Sequence, residues 1–167
     1  MADDPGVTRE HRAARLKERV YITFTALAVV LALRSHHAEA AEAGATLAIA
    51  VAGTLLAVLV ADIVSHIAVH AALPSRAELG AMLHVIRGAL GALAVPFVLV
   101  GLAVAGVWPI ERALRVTTIV LMVSLIVIGY LAVRRVRLPV RQKLIVLFAE
   151  FALGAAVVGL ELLAHGV

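Results

Sequence analysis

The sequence predicts an all-α fold: a polytopic integral membrane bundle of five transmembrane helices, preceded by an amphipathic, basic N-terminal segment. Three observations predict it. First, 63% of the 167 residues are hydrophobic and the mean hydropathy is +1.04; a soluble domain of this length leaves too much surface in water to hide that much apolar area. Second, the apolar residues gather in five segments, at about 20–34, 45–73, 79–108, 113–133 and 144–164, separated by short polar linkers. Third, Lys and Arg concentrate beside two of these segments and are scarce in the first linker.

Residues 1–19 form the first unit. Arg9, Arg12, Arg15, Arg19 and Lys17 outweigh Glu10 and Glu18, and Thr8 is placed to cap a helix that runs on towards the membrane. Residues 20–167 form the second unit, a single transmembrane domain. A span needs about 20 mainly apolar residues. The last four segments meet this. The first is short, with 14 residues between Val20 and Leu33 inclusive, and spans only if Arg19 and Arg34 snorkel. A rival reading takes it as a secretory signal, with the small residues around Ala38-Glu39-Ala40-Ala41 as the cleavage site. The long, partly acidic preceding segment argues for a retained helix. Pro96 should kink the third segment, while Pro74, Pro109 and Pro139 fall at turns.

Charge sets the expected orientation. The linker 134–143 carries Arg134, Arg135, Arg137, Arg141 and Lys143, whereas the linker 34–44 sets Arg34 against Glu39 and Glu42. The positive-inside rule then gives a bacterial cytoplasmic membrane protein with its N-terminus in the cytoplasm and its C-terminus outside. Tyr21 and Tyr130 fall near the inner interface and Trp108 near the outer one.

Asp62, His66 and His70 recur every four residues inside the second segment. That spacing puts them on one helix face, and ionisable groups at membrane depth invite a functional reading. In the third segment His84 shares a face with Gly88 and Gly91, with Arg87 at its edge. In the fifth, Lys143, Glu150, Gly154 and Glu161 lie within about 40° of one another at ~100° per residue. Antiparallel pairing about Pro74 sets His70 opposite His84 and His66 opposite Arg87 or Gly88. Asp62, His66, His70, His84, Arg87 and Glu150 are therefore expected to converge between the inner interface and the midplane. An outer group comprises His36, His37, Glu39 and Glu42, with Glu161 and His165 at the same end.

Histidine titrates near neutral pH and a carboxylate in apolar surroundings holds its proton more tightly. Proton or cation movement through the Asp/His/Glu cluster is therefore the first functional expectation, with a homo-oligomer supplying the walls that five helices lack. A metal site is the second: Asp62, His66, His70, His84 and Glu150 are donors suited to a divalent transition metal such as Zn, Fe or Mn. A catalytic version ranks lower, since no glutamate follows His66 in an HExxH pattern. The third is a structural or accessory subunit of a larger membrane assembly, with Asp62 or Glu150 paired to Arg87. The lipid bilayer is the expected partner in every case. The absence of cysteine excludes disulfides and thiolate chemistry, and no phosphate-binding glycine loop is present. The net charge of +4 lies beside apolar segments, where it meets lipid head groups rather than nucleic acid.

Overall fold

The computed structural model describes residues 5–134 and separate positions between 141 and 159. The described residues are helical, with no strand among them. The order is α1 (Pro5–Ser35), α2 (Ala40–His70), α3 (Arg76–Leu90), a 3₁₀ turn (Gly91–Leu93), α4 (Ala94–Val104) and α5 (Ile110–Arg134).

Local chemistry explains each boundary. α2 stops at Ala71, which takes a left-handed conformation (φ 51°) and donates its N–H to the Ile67 carbonyl; Pro74 then prevents continuation. α3 opens with a capping box, in which Ser75 Oγ accepts from the Glu78 N–H at 3.3 Å and Glu78 Oε2 accepts from the Ser75 N–H at 2.7 Å. The break between α3 and α4 follows from Pro96. Proline has no N–H for the carbonyl four residues earlier and its ring collides with it, and that carbonyl belongs to Ala92, inside the 3₁₀ turn. The expected kink is thus a break just N-terminal to the proline. Gly106, at φ +75°, turns the chain from α4 into α5, and Trp108 Nε1 donates to the Leu99 carbonyl at 3.2 Å to pin that turn.

The packing centre is α1. Ile22, Ala26, Val30 and Leu33 form one buried stripe along it, and Thr23, Leu27 and Leu31 widen that stripe. α5, α2 and α3 all pack on this helix. They contribute Leu114, Leu121 and Leu125 from α5, Ala43, Leu47 and Val51 from α2, and Ala89 from α3 to a shared core. α2 meets α4 closely at Gly44, where an added Cβ would stand 3.0 Å from Val104 Cγ2. The outward faces are apolar, with Ile49, Leu56, Val60, Val98 and Ile119 all exposed. Such a surface suits lipid.

The expectation of five spans is supported in part. Among the described residues three helical stretches are long and apolar enough to cross a membrane: Ala40–His70, Arg76–Val104 and Ile110–Ala132. The segment 20–34 is instead the C-terminal half of α1, continuous with the basic residues before it. Glu18, Arg19 and Arg34 crowd its ends, so no window of this helix is both long and sparingly charged. Residues 5–19 and the first apolar segment form one continuous helix, as the Thr8 cap signal anticipates. The fifth segment, 144–164, falls largely outside the described residues, Glu150 and Glu161 included. The other boundaries move modestly: α2 starts five residues before the expected 45 and ends three before 73, because Glu39 and Ala71 set its ends.

Charge-free runs line up across the bundle at residues 20–33, 43–61, 88–110 and 116–133. Arg19 Nε donates to the Gly88 carbonyl at 3.1 Å, which levels the start of the first run with the start of the third. At the other end Arg34 Nη1 donates to Thr118 Oγ1 at 3.4 Å. Arg19 and Arg34 are therefore met by neighbouring helices, which lets a short apolar run sit inside the bundle.

If α1 is the packing centre, Leu27→Ala should destabilise the protein by roughly 2–5 kcal/mol, the usual range for a buried leucine. Leu56→Ala, on the exposed face of α2, should shift stability by less than about 0.5 kcal/mol. Chaotrope-induced loss of helical circular dichroism in detergent measures both.

Candidate functional site

Three helices bring ionisable side chains to the end of the bundle where α2 stops and α3 begins. α2 supplies Asp62, His66 and His70, on one face as their spacing requires; the two imidazoles stack with centroids 4.6 Å apart, tilted by 42°. α3 supplies Glu78. Its Oε2 lies 3.9 Å from His66 Nε2, too far for a hydrogen bond but near enough to attract the ring once it is protonated. α1 supplies Glu18, only 6% exposed. Its Oε1 lies 3.3 Å from Lys17 Nζ, on a side chain that is 72% exposed.

Two open clefts meet here. One, of about 430 Å³, lies between α1 and α2 and is lined by Lys17, Glu18, Tyr21, Ala57, Val58, Ala61 and Asp62. The other, of about 220 Å³, lies among α1, α2 and α3, with Glu18, Asp62, His66 and Glu78 as its polar lining. Glu18 and Asp62 face both clefts. Among the described residues Asp62 makes no hydrogen bond or ion pair, and Glu18 has Lys17 alone. The cluster therefore holds one unmatched carboxylate and one that is nearly buried with a single, solvent-facing partner.

The remaining candidates fall elsewhere. His84 and Arg87 line neither cleft and are exposed. The reason is helical register: Val85 and Ala89 are the residues of α3 turned inward, and Arg87 is about 200° from Val85 at 100° per residue. The expected pairings of His70 with His84 and of Asp62 with Arg87 do not form, because α1 rather than α2 is the main neighbour of α3. Nor does the metal expectation find its geometry. Among the described residues no group of three or more His, Asp or Glu is placed to hold an ion, and the Glu78 carboxylate is engaged by the Ser75 N–H. Asp62 follows the charge-free run 43–61, and His66, His70 and Glu78 lie beyond that run; Asp62, His66 and His70 fall within the apolar stretch Ala40–His70.

From this end of the bundle towards the other, the core formed by the described residues is mainly apolar, with Ile22, Ala26, Leu27, Val30, Leu47, Val51 and Leu93 buried in it. Thr23 gives its hydroxyl to the Arg19 carbonyl at 2.6 Å. Thr117 Oγ1 is buried with no hydrogen-bond partner among the described residues. At the far end His36, His37, Glu39 and Glu42 are exposed. His36 Nδ1 lies 2.8 Å from the Ala32 carbonyl, closing the last turn of α1, and His37 takes a positive φ of 49° in the turn.

Sequence reasoning missed Glu18 and Glu78. Glu18 was legible in principle, since it stands four residues before Ile22 and eight before Ala26, on the stripe that α1 buries. Glu78 carried a signal too, as the fourth residue of Ser75-Arg76-Ala77-Glu78.

An unpaired Asp62 contributes little to folding. Asp62→Asn should leave stability within about 0.5 kcal/mol of the parent, whereas breaking a buried ion pair would cost about 3–5 kcal/mol; thermal unfolding in detergent distinguishes the two. The chain matches no protein-family model, no curated protein sequence and no solved structure.

Proposed function

We propose that the chain mediates proton or cation movement at a membrane, with Asp62, Glu18 and His66 as the groups that take up the ion. The observation that carries this reading is the shared cleft edge, where Asp62 has no partner among the described residues and the nearly buried Glu18 lines the same clefts. A carboxylate without a partner at the rim of an apolar band binds protons or cations from the adjoining water. His66, with Glu78 at 3.9 Å, adds a group that can accept a proton and be steadied once charged. The mainly apolar core of the described helices is consistent with movement along a surface between copies, as a homo-oligomer. In this reading the protein sits in a bacterial cytoplasmic membrane. Its basic N-terminal helix end faces the cytoplasm, the cluster lies at the inner interface, and the C-terminus lies outside.

A second reading is favoured by the same apolar interior: a structural subunit of a larger membrane assembly, docked through its exposed apolar faces. Flux separates the two. Purified protein in liposomes should dissipate an imposed pH or cation gradient faster than protein-free liposomes. Asp62→Asn and Glu18→Gln should return the rate to the protein-free level while keeping parental helicity. Wild-type liposomes no leakier than empty ones to protons, Na⁺ or K⁺ would contradict transport and leave the subunit reading.

A further inference from the structure

We propose that the larger cleft, between α1 and α2, binds the headgroup of an aminophospholipid, with its primary ammonium on Glu18 and Asp62 and its phosphate on Lys17. The lining divides by chemistry. Ala57, Val58 and Ala61 form an apolar wall, and Lys17, Glu18 and Asp62 form the charged part. That division coincides with the edge of the apolar band, since the runs 20–33 and 43–61 both end here. A lipid spans such a boundary by its nature, with its chains along apolar side chains and its headgroup among charges. The wall continues onto the bilayer-facing surface of α2, where Leu56 and Val60 are 63% and 58% exposed, and Tyr21 stands at the rim, 60% exposed. An aromatic ring with a polar tip fits that level.

Charge selects the headgroup. Two carboxylates and one ammonium line the cleft, which complements a headgroup carrying one cation and one phosphate and disfavours one that is only anionic. Glu18 is the second pointer: it is 6% exposed, lies on the cleft, and has the solvent-facing Lys17 as its one ion-pair partner among the described residues. A nearly buried carboxylate favours a close cationic donor. A primary ammonium donates three hydrogen bonds, whereas a quaternary ammonium has none to give. Lys17, with its side chain 72% exposed, is free to swing from Glu18 to the phosphate as the lipid amine takes its place.

This inference goes beyond ion movement and does not require it, since lipid retention is read without any flux. The test is native mass spectrometry of the full chain in detergent with equimolar phosphatidylethanolamine, phosphatidylcholine and phosphatidylglycerol of identical acyl chains. The expected result is one bound ethanolamine lipid per chain, retained about tenfold over each of the others, as a charge-assisted hydrogen bond gives. Asp62→Asn and Glu18→Gln should each lower its retention to the choline level. Ala57→Leu should do the same by filling the cleft while leaving every charge in place. Circular dichroism and unfolding midpoints matched to the parent establish that the variants fold. Equal retention of the ethanolamine and choline lipids by the wild-type chain would overturn the proposal without reference to any variant. So would a preference for the glycerol lipid, which would reduce the effect to general attraction by Lys and Arg. Parental selectivity in a folded Asp62→Asn protein would overturn it as well.

Discussion

The bundle is organised by the burial of α1, a helix that carries charges close to both ends of its apolar stretch. Such a helix is poorly suited to face lipid, because Arg19 and Arg34 bracket fewer residues than a hydrocarbon core requires. Surrounded by α2, α3 and α5 it needs no such length. Arg19 finds the Gly88 carbonyl and Arg34 finds the Thr118 hydroxyl. Between them Ile22, Ala26, Leu27 and Val30 meet protein instead of acyl chains. Lipid offers helices little hydrophobic incentive to associate, so close packing and hydrogen bonds of this kind carry the assembly. The contact at Gly44 adds to them by letting α2 approach α4.

The same burial creates the polar site. Glu18 lies on the stripe that α1 turns inward, so packing Ile22 and Ala26 into the core draws a carboxylate into the end of the bundle. Asp62 of α2 and Glu78 of α3 stand at that end for their own reasons. Asp62 closes the apolar run of its helix, and Glu78 completes the capping box that starts α3. An acidic cluster therefore follows from where three helices end. That Asp62 has no partner among the described residues does not follow from packing, and it is the observation from which the proposed ligand and ion readings start.

Much of the fold was legible in the sequence. Of the five apolar runs, those at 45–73, 79–108 and 113–133 coincide with the three stretches long and apolar enough to cross a membrane among the described residues, Pro74 and Pro109 marked turns, and the kink expected at Pro96 is a break. The i, i+4, i+8 pattern put Asp62, His66 and His70 together because a single helix decides it. Relations between helices were not legible. His84 and Arg87 were assigned to the cluster by assuming that α2 and α3 face each other as a hairpin, and the interposed α1 turns them outward. α1 itself was read as the weakest span by hydropathy, a measure that rewards contact with lipid and is blind to a helix wrapped by others. The stripe at residues 18, 22, 26 and 30 held that information, since a period of four marks a face that needs a partner.

The central claim is that α1 threads the middle of the bundle and carries Glu18 to Asp62. A photoactivated carbene reagent dissolved in the bilayer tests it most directly, with modified residues located by peptide mass spectrometry after reconstitution of the full chain. The account predicts heavy labelling of α2 around Ile49, Leu56 and Val60, which face outward, and protection of α1 at Ala26, Leu27 and Val30. Labelling of those α1 residues as strong as that of α2 would put α1 on the lipid surface, and the site built around Glu18 would fall with it.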